Sequence, residues 1–189
     1  NMSICGETID YGPCAFMDVY NPNTKFSSID ERGRYAFANQ ATIASWNLAR
    51  LADCLITILA KDKNQAIQIA TAELKKFPEL FNKFWLKEMR KKFGLDHEQP
   101  EDLDLILDFL KLLEQDNGDY NLSFRYLCYL KTRGAKTRDL SKLFKSKIEY
   151  QKWQERYFKR IATEPISQKE RFEKMLKVNP AYIPRNHLV

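Results

Sequence analysis

The sequence predicts a mainly α-helical fold that follows a short non-helical start. From Phe37 onward, apolar residues recur at the three- and four-residue spacings of helices that bury one face. Residues 1–36 instead combine Gly, Pro, Asn and Ser with short β-type runs. The 189 residues are 44% hydrophobic and 13% aromatic, enough for one sizeable core. We therefore predict a hairpin and loop over residues 1–36, and a single helical domain over residues 37–189.

The first long helix is predicted over Gln40 to about Leu59, with Asn39 as its N-cap. Its apolar positions cover a wide face, so we expect it to be the central buried helix of the domain. Asp62 is the predicted N-cap of the next helix, which extends to about Lys76. No apolar run in the sequence approaches the roughly 20 residues of a membrane helix.

The remaining helices are predicted from turn residues and apolar stripes. Pro78 begins one helix that Gly94 ends, and Asn117 with Gly118 ends the helix after it. Core packing, rather than base stacking, explains the aromatic residues on these helices. The predicted ranges are 79–93, 100–115, 121–131, 147–162 and 167–176, with a short helical turn over 140–144.

Charge is distributed unevenly along the chain. The formal net charge is +6, but residues 131–174 hold 14 Lys or Arg and 6 Asp or Glu, so this stretch alone carries 14 − 6 = +8. A solvated helix face explains this pattern, and so does a docking surface for acidic protein or nucleic acid. Without a DNA-binding motif, we do not expect nucleic acid as a partner.

The cysteines and histidines do not form a recognisable metal motif. The four cysteines are widely spaced and include no C-x-x-C pair, while His97 and His187 stand alone. We therefore expect free, buried or half-buried thiols rather than a zinc site or a disulfide framework. The cysteines are Cys5, Cys14, Cys54 and Cys128.

The first twelve residues suggest a metal site. Met2 to Cys5 and Thr8-Ile9 can form two short strands, and this hairpin would bring Asn1 beside Asp10. Their oxygens suit Mg²⁺ or Mn²⁺. An Asn followed by a D-x-G triplet, here Asp10-Tyr11-Gly12, is typical of kinase-like nucleotide sites. Taken alone, the triplet is better explained by an Asx-type turn with an aromatic anchor.

Several motifs in order make the pattern more specific. Together they resemble the selenoprotein O (YdiU) family, densely over the first 60 residues and intermittently to the end of the chain. The motifs are Asn1-Met2-Ser3-Ile4, Thr8-Ile9-Asp10-Tyr11-Gly12-Pro13, Phe16-Met17-Asp18, Gly33-Arg34-Tyr35-Ala36-Phe37, Asn39-Gln40, Trp46-Asn47-Leu48-Ala49-Arg50-Leu51-Ala52, Ser123-Phe124-Arg125 and Asn179-Pro180-Ala181-Tyr182-Ile183-Pro184-Arg185-Asn186-His187-Leu188.

The resemblance implies the helical C-terminal lobe of a protein-kinase-like fold, with the N-terminal hairpin and an activation-segment-like loop. Family members transfer AMP from ATP to protein Ser, Thr or Tyr hydroxyls, and some bacterial members are described as transferring UMP. Asn1 and Asp10 match the family's metal ligands, and Asp10 also contributes to nucleotide binding. The family's general base is an Asp directly before Asn1, so the resemblance implies no catalytic base within this chain. We therefore expect an active parent protein and an inactive isolated chain.

The resemblance also implies expectations about the partners, location and regulation of the protein. It implies protein substrates with hydroxyl side chains, a missing N-terminal lobe as a partner, no membrane, and a cytoplasmic bacterial or mitochondrial eukaryotic location. Met17 to Arg34 occupies the position of an activation segment, although a plain surface loop fits the sequence equally well. The family's redox pair is not expected, because residues 21–32 contain no Cys and the chain ends His187-Leu188-Val189. We expect Arg125 and Arg185 to form buried ion pairs that tie the helices together.

Overall fold

The chain is described here by a computed structural model that covers residues 16–132, 136–185 and 188. These residues form seven α-helices, with a 3₁₀ turn at Phe37–Asn39 directly before the first of them and another at Leu140–Leu143. The described residues contain no named strand. The helices are α1 (Gln40–Leu59), α2 (Lys63–Leu74), α3 (Phe77–Phe93), α4 (Asp102–Asp116), α5 (Tyr120–Leu127), α6 (Lys147–Ala162) and α7 (Gln168–Val178).

The mainly helical prediction is confirmed. The predicted hairpin falls on residues 1–12, outside the described residues, so it stays a prediction, as does the division at residue 36. The described residues cluster into two compact units: residues 22–85 form one, and residues 16–21 with 86–188 form the other. The boundary between them falls within α3.

The first unit consists of a loop, α1, α2 and the beginning of α3. Helix α2 buries Ala66 and Ala70, the small residues of its inward face, and α1 packs against α2. The expectation that α1 is a central buried helix is wrong in this structure, because only Ile43 of its 20 residues is buried. Apolar periodicity shows which face favours burial, but α2 is too short to cover the whole of that face.

Helix α1 also corrects the expectation about membrane-length segments. The stretch Phe37–Leu59 spans 23 residues, contains an 18-residue window with mean hydropathy 1.2, and has only 6% of that window buried. Its charged residues are Arg50 and Asp53, which pair with each other one turn apart. By length and composition alone this stretch could cross a membrane. Core helices of globular proteins meet the same criterion, so the finding assigns no membrane.

The second unit has an aromatic core, which confirms the core-packing interpretation for Phe109, Phe124, Trp153 and Tyr157. Phe93 is fully buried and meets Phe109 and Phe124 edge-on, with ring centroids 5.3 and 5.4 Å apart. Their buried polar neighbours are satisfied: Trp153 Nε1 donates to the Leu105 carbonyl at 2.9 Å, and the Tyr157 hydroxyl donates to the Phe93 carbonyl at 2.8 Å. These two bonds fix α6 to α4 and to the end of α3.

Three predicted helix boundaries agree with local chemistry. Asp62 caps α2 by accepting from Gln65 N at 2.8 Å, Gly94 ends α3 at φ +68°, and Asn117 ends α4 at φ +54°. The predicted cap at Asn39 is wrong. Asn39 lies in a 3₁₀ turn with helical backbone angles, and its side chain donates to the Gly33 carbonyl at 2.7 Å instead.

Candidate functional site

The predicted metal ligands Asn1 and Asp10 lie outside the described residues. The described chain begins at Phe16, six residues after Asp10 (16 − 10 = 6). The structure therefore shows how the segment that follows the Asp10-Tyr11-Gly12 motif is held. This segment, residues 16–21, is called the exit segment below.

The exit segment pairs with the turn between α4 and α5. Val19 and Asp119 form an antiparallel bridge, in which Tyr20 N donates to the Gly118 carbonyl and Tyr120 N donates to the Asp18 carbonyl, both at 2.8 Å. The Tyr20 and Tyr120 rings stack with centroids 5.6 Å apart. Backbone and ring contacts together fix the register of this short extended segment.

The receiving turn is well determined by its sequence. Asn117 adopts the left-handed conformation that ends α4, and Gly118 N donates to the Leu113 carbonyl at 2.8 Å. Asp119 then begins α5, with its side chain accepting from Leu122 N at 2.7 Å. The residue that ends α4 and the residue that caps α5 are therefore only two positions apart, and the backbone between them pairs with the exit segment.

A single arginine links the exit segment to this edge from the end of the chain. Arg185 Nη2 donates to Asp119 Oδ2 at 3.0 Å, and Arg185 Nη1 pairs with Asp18 Oδ1. The three side chains are 25–36% exposed. Arg185 forms ion pairs, but they are partly exposed, so the expectation of buried pairs is wrong for this residue. Arg125 instead donates to the Asn179 carbonyl and to the Tyr129 hydroxyl.

The rest of the predicted activation-segment-like region is a folded loop of the first unit. The Asp30 carboxylate accepts from Arg34 N at 2.7 Å and from Tyr35 N at 2.8 Å, which closes a turn through Gly33 at φ +66°. Phe37 N donates to the Thr24 carbonyl at 3.0 Å and closes the wider loop. Such a loop can gate a cleft, and that role stays a prediction.

The most deeply buried charges in the described part of the chain form a separate cluster. Asp102 and Glu164 have fully buried side chains, and Arg160 lies between them, with its Nε 2.6 Å from Asp102 Oδ1 and its Nη1 2.6 Å from Glu164 Oε1. Arg90 Nε adds a second bond to Asp102 at 2.7 Å. Burial acts to raise the pKa of Asp102, but hydrogen bonds from Arg160, Gln99 N and Arg90 outweigh it, and the pKa is lowered.

This cluster serves to join helices. Glu164 also accepts from the Asp96 and His97 backbone amides, so the loop after α3 is tied to the end of α6. The charges of Asp102, Arg160 and Glu164 are matched by one another and by Arg90. Sequence reasoning missed the cluster; the Arg160 and Glu164 spacing of four residues was the available signal.

The described residues contain no cluster of three or more His, Cys, Asp or Glu that could hold a metal ion. Within the same residues, Cys54 and Cys128 are free thiols; Cys128 is buried as expected, whereas Cys54 is exposed. Cys5 and Cys14 lie outside the described residues. In the part of the chain that the structure covers, the candidate site is thus the anchored exit segment.

Comparisons with known proteins agree with the motifs. The family model described as "Protein adenylyltransferase SelO" matches residues 1–189. Relatives named "Protein nucleotidyltransferase YdiU" are 46% identical in Halalkalibacterium halodurans, 47% in Geobacillus kaustophilus and 45% in Rhizobium meliloti, each over all 189 residues. The chain spans only 37–39% of the length of these relatives. The match extends over the whole chain, so this chain belongs to the protein adenylyltransferase SelO family.

Proposed function

We propose that this chain is the metal-holding, mainly helical part of a longer protein nucleotidyltransferase, which transfers AMP from ATP to Ser, Thr or Tyr hydroxyls of other proteins. The observation that carries the proposal is the family match over residues 1–189, together with relatives that are named nucleotidyltransferases. UTP is the alternative nucleotide. The proposal includes a kinase-like fold for the longer protein, with the described helices in its C-terminal lobe.

Asn1 and Asp10 are the residues that we propose to hold Mg²⁺ or Mn²⁺. An amide and a carboxylate offer the oxygen donors that both ions prefer, so the donor set fits. The bound metal would neutralise charge on the nucleotide phosphates. Asp10 would also contribute to nucleotide binding through that metal.

The transfer itself follows from the chemistry of the substrates. The hydroxyl oxygen of the protein substrate attacks the α-phosphorus of ATP, a new oxygen–phosphorus bond forms, and the bond to the β-phosphate oxygen breaks, releasing pyrophosphate. The hydroxyl proton passes to a base, which the resemblance assigns to an Asp directly before Asn1. Catalysis of this kind depends on positioning and charge neutralisation, so the anchoring of the Asp10 segment matters.

Labelled nucleotides test the proposal. The full-length protein is incubated with ATP labelled at the α-phosphate and, separately, at the γ-phosphate, with Mg²⁺ or Mn²⁺. Protein labelled from the α-phosphate but not from the γ-phosphate supports nucleotidyl transfer. Labelling from the γ-phosphate alone would indicate phosphoryl transfer and overturn the proposal, and no labelling with any nucleotide would also overturn it.

The isolated chain is expected to be inactive and to bind ATP with metal weakly or not at all. Its proposed ligands are only part of a nucleotide site, because the resemblance assigns the catalytic base and the remaining nucleotide contacts to other parts of the longer protein. Calorimetry on the 189-residue chain checks this expectation. Tight, metal-dependent ATP binding would contradict it.

We also infer that the apolar face of α1 packs against the rest of the longer protein. Trp46 and Ile58 are 47% and 77% exposed, and Leu51 and Leu59 are about one-third exposed. The relatives supply more than half of their length outside this match, which is ample chain to cover a 20-residue helix. The isolated chain should therefore associate through α1, and Ile58→Lys should reduce association in sedimentation measurements. Monomers at all concentrations would contradict this inference.

A basic binding module, the alternative from charge patterning, gains no support from the structure. Four of the basic residues in the 131–174 stretch are engaged with carboxylates: Lys152 with Glu149, Arg156 with Asp108, Arg160 with Asp102, and Lys174 with Asp96. Part of the positive charge is therefore matched, by three acids that lie outside the stretch. Steeply salt-dependent binding of nucleic acid by this chain would restore the alternative.

A further inference from the structure

Positive charge is concentrated in the connection between α5 and α6. Residues 136–147 hold five Lys or Arg and one acid, a net charge of 5 − 1 = +4, and all five basic residues are exposed. The ion pairs that partly neutralise the 131–174 stretch involve later residues, from Lys152 onward. The connection therefore retains its positive charge at the surface. Its basic residues are Lys136, Arg138, Lys142, Lys145 and Lys147.

Two guanidinium groups converge on one aromatic ring beside this connection. The guanidinium carbon of Arg138 lies 4.5 Å from the centroid of the Tyr129 ring, and that of Arg125 lies 5.7 Å from the same centroid. Arg125 also donates to the Tyr129 hydroxyl at 3.3 Å. Attraction to the ring therefore holds two like charges near one another, although they repel.

A third cation is held next to this pair. Lys131 Nζ lies 4.2 Å from the centroid of the Phe158 ring of α6, and the Lys131 carbonyl accepts from Gln168 of α7. The Tyr129 ring packs against Phe172 of α7, with centroids 5.3 Å apart. Contacts with two helices thus fix the place of these cations on the second unit. The side chains of Arg125, Lys131 and Arg138 are called the basic patch below.

The basic patch has no carboxylate of its own. Among the described residues, no Asp or Glu forms an ion pair with any of its three side chains, and the ion pair expected for Arg125 is not found. Asp139 follows Arg138 directly, but its Oδ1 accepts from Ser141 N at 3.0 Å and from Ser141 Oγ at 2.7 Å. Cations that are gathered without a matching acid favour an anionic group from outside.

The aromatic rings of the patch favour carboxylates over nucleic acid as that anion. Single-stranded nucleic acid binds by stacking its bases on aromatic faces. Here the Tyr129 ring already contacts two guanidinium groups and Phe172, the Phe158 ring contacts Lys131, and both rings are half-buried. Carboxylates need no free ring, because they pair with the donors of a planar guanidinium.

We propose that the basic patch is a docking surface for an acidic segment of a partner protein. This inference goes beyond the proposed function and does not depend on it. Lys136 and Lys142 lie on either side of Arg138 in the sequence and are exposed, so they add positive charge for further carboxylates of the same segment. Because these charges are exposed, salt screens them, and the affinity should fall as ionic strength rises.

The test measures peptide binding to the full-length protein by fluorescence anisotropy at low salt. The probe is a short fluorescein-labelled peptide with Glu at every second position, and the neutral control peptide carries Gln at those positions. A single-stranded oligonucleotide of equal net charge tests nucleic acid as the occupant. The variants are Arg138→Glu, Arg138→Lys and Lys131→Glu. Lys83→Glu is the matched control, because it makes the same charge change at an exposed residue of the first unit.

Arg138→Glu and Lys131→Glu should each weaken binding of the Glu peptide about threefold to tenfold, since each replaces an attraction by a repulsion. Arg138→Lys should lose less, because an ammonium keeps the charge but not the planar fork. Lys83→Glu should bind the Glu peptide like wild type. Lys131→Glu also keeps the test decisive if Arg138→Glu does not fold.

Four results would overturn the docking surface. They are no binding of the Glu peptide, equal binding of the Glu and Gln peptides, an equal loss in Lys83→Glu and Arg138→Glu, or tighter binding of the oligonucleotide than of the Glu peptide. The last result would make nucleic acid the occupant. The proposed function fails separately, through a protein that transfers no nucleotide, and the peptide measurements then still decide whether the patch docks an acidic segment.

Discussion

Asp102 and Arg160 form a buried ion pair, with Arg160 Nε 2.6 Å from Asp102 Oδ1. The side chain of Asp102 is 0% exposed and that of Arg160 is 3% exposed. The pair joins the first turn of α4 to the last turn of α6, and Arg90 adds a bond from α3. Three helices of the second unit therefore meet at one carboxylate. Because buried charges are tolerated only when matched, removing one partner should be far more costly than removing a surface charge.

Asp102→Asn is expected to lower the free energy of unfolding by about 3–5 kcal/mol, since it removes the buried carboxylate that pairs with both Arg160 and Arg90. Glu164 and Glu98 remain as the only carboxylate partners of these two guanidinium groups among the described residues. Urea unfolding of the full chain, followed by fluorescence of buried Trp153, measures this loss. Asp108→Asn is the matched control. Its carboxylate pairs with Arg156 at the surface, so it should lower the free energy by less than about 1 kcal/mol. Equal effects for both variants would contradict a stabilising role for the buried cluster.

Lowering the pH should reduce the free energy of unfolding of the second unit, because it protonates two carboxylates that the fold stabilises in their charged form. Asp102 and Asp116 are both desolvated, yet hydrogen bonds hold each pKa below its ordinary value; for Asp116 these come from Ser146 and from Lys145 N. A depressed native pKa contributes stability that is fully present above the unfolded pKa of about 3.9. That contribution is lost as pH falls through the native pKa.

The measurement is the free energy of unfolding as a function of pH, in urea, from neutral pH down to about pH 3. Wild type should lose stability steeply toward the acid end, and Asp116→Asn should flatten that slope because it removes one of the two carboxyls. Asn can still accept from the Lys145 and Ser146 amides, so the variant should remain folded at neutral pH. A slope as steep as that of wild type would contradict the assignment for Asp116.

Gly94→Ala tests the junction at which α3 ends. Gly94 has φ +68°, and an added Cβ would lie 2.6 Å from Arg171 Cγ and 2.6 Å from Met175 Sδ of α7. Backbone strain of about 1 kcal/mol and overlap of about 1–3 kcal/mol should together destabilise the second unit. Gly33→Ala is the matched control, because it has a similar φ of +66° but its nearest contact would be 3.7 Å. Urea unfolding that ranks Gly33→Ala as the worse change would contradict the packing argument.

Much of the helical fold could be predicted because its signals are local. The helices over Gln40–Leu59 and Lys147–Ala162 have the predicted bounds, and Asp62, Gly94 and Asn117 act as expected. Each depends on residues within a turn or two of one another. The burial of α1 was predicted wrongly because it depends on distant elements, namely those that are present to cover the helix.

The charged contacts of the buried cluster and of the exit segment could not be predicted from spacing. Asp102 lies 58 residues from Arg160, and Asp18 lies 167 residues from Arg185, so no periodic pattern connects the partners. The sequence showed the tail motif that contains Arg185, but it did not show that Arg185 pairs with Asp18 and Asp119. Asp119 carried a local signal as a helix cap, although the sequence placed the start of α5 slightly later, at Asn121.

The role of Asp10 is tested most directly by labelling with α-phosphate-labelled ATP in the full-length protein. Asp10→Ala should abolish protein labelling, since it removes the carboxylate proposed to hold the metal. Asp104→Ala, which removes an exposed carboxylate from α4, should label like wild type. Both variants should unfold in urea near the wild-type midpoint. Labelling by Asp10→Ala at the wild-type rate would contradict the account that this chain carries the metal-holding part of a nucleotidyltransferase site.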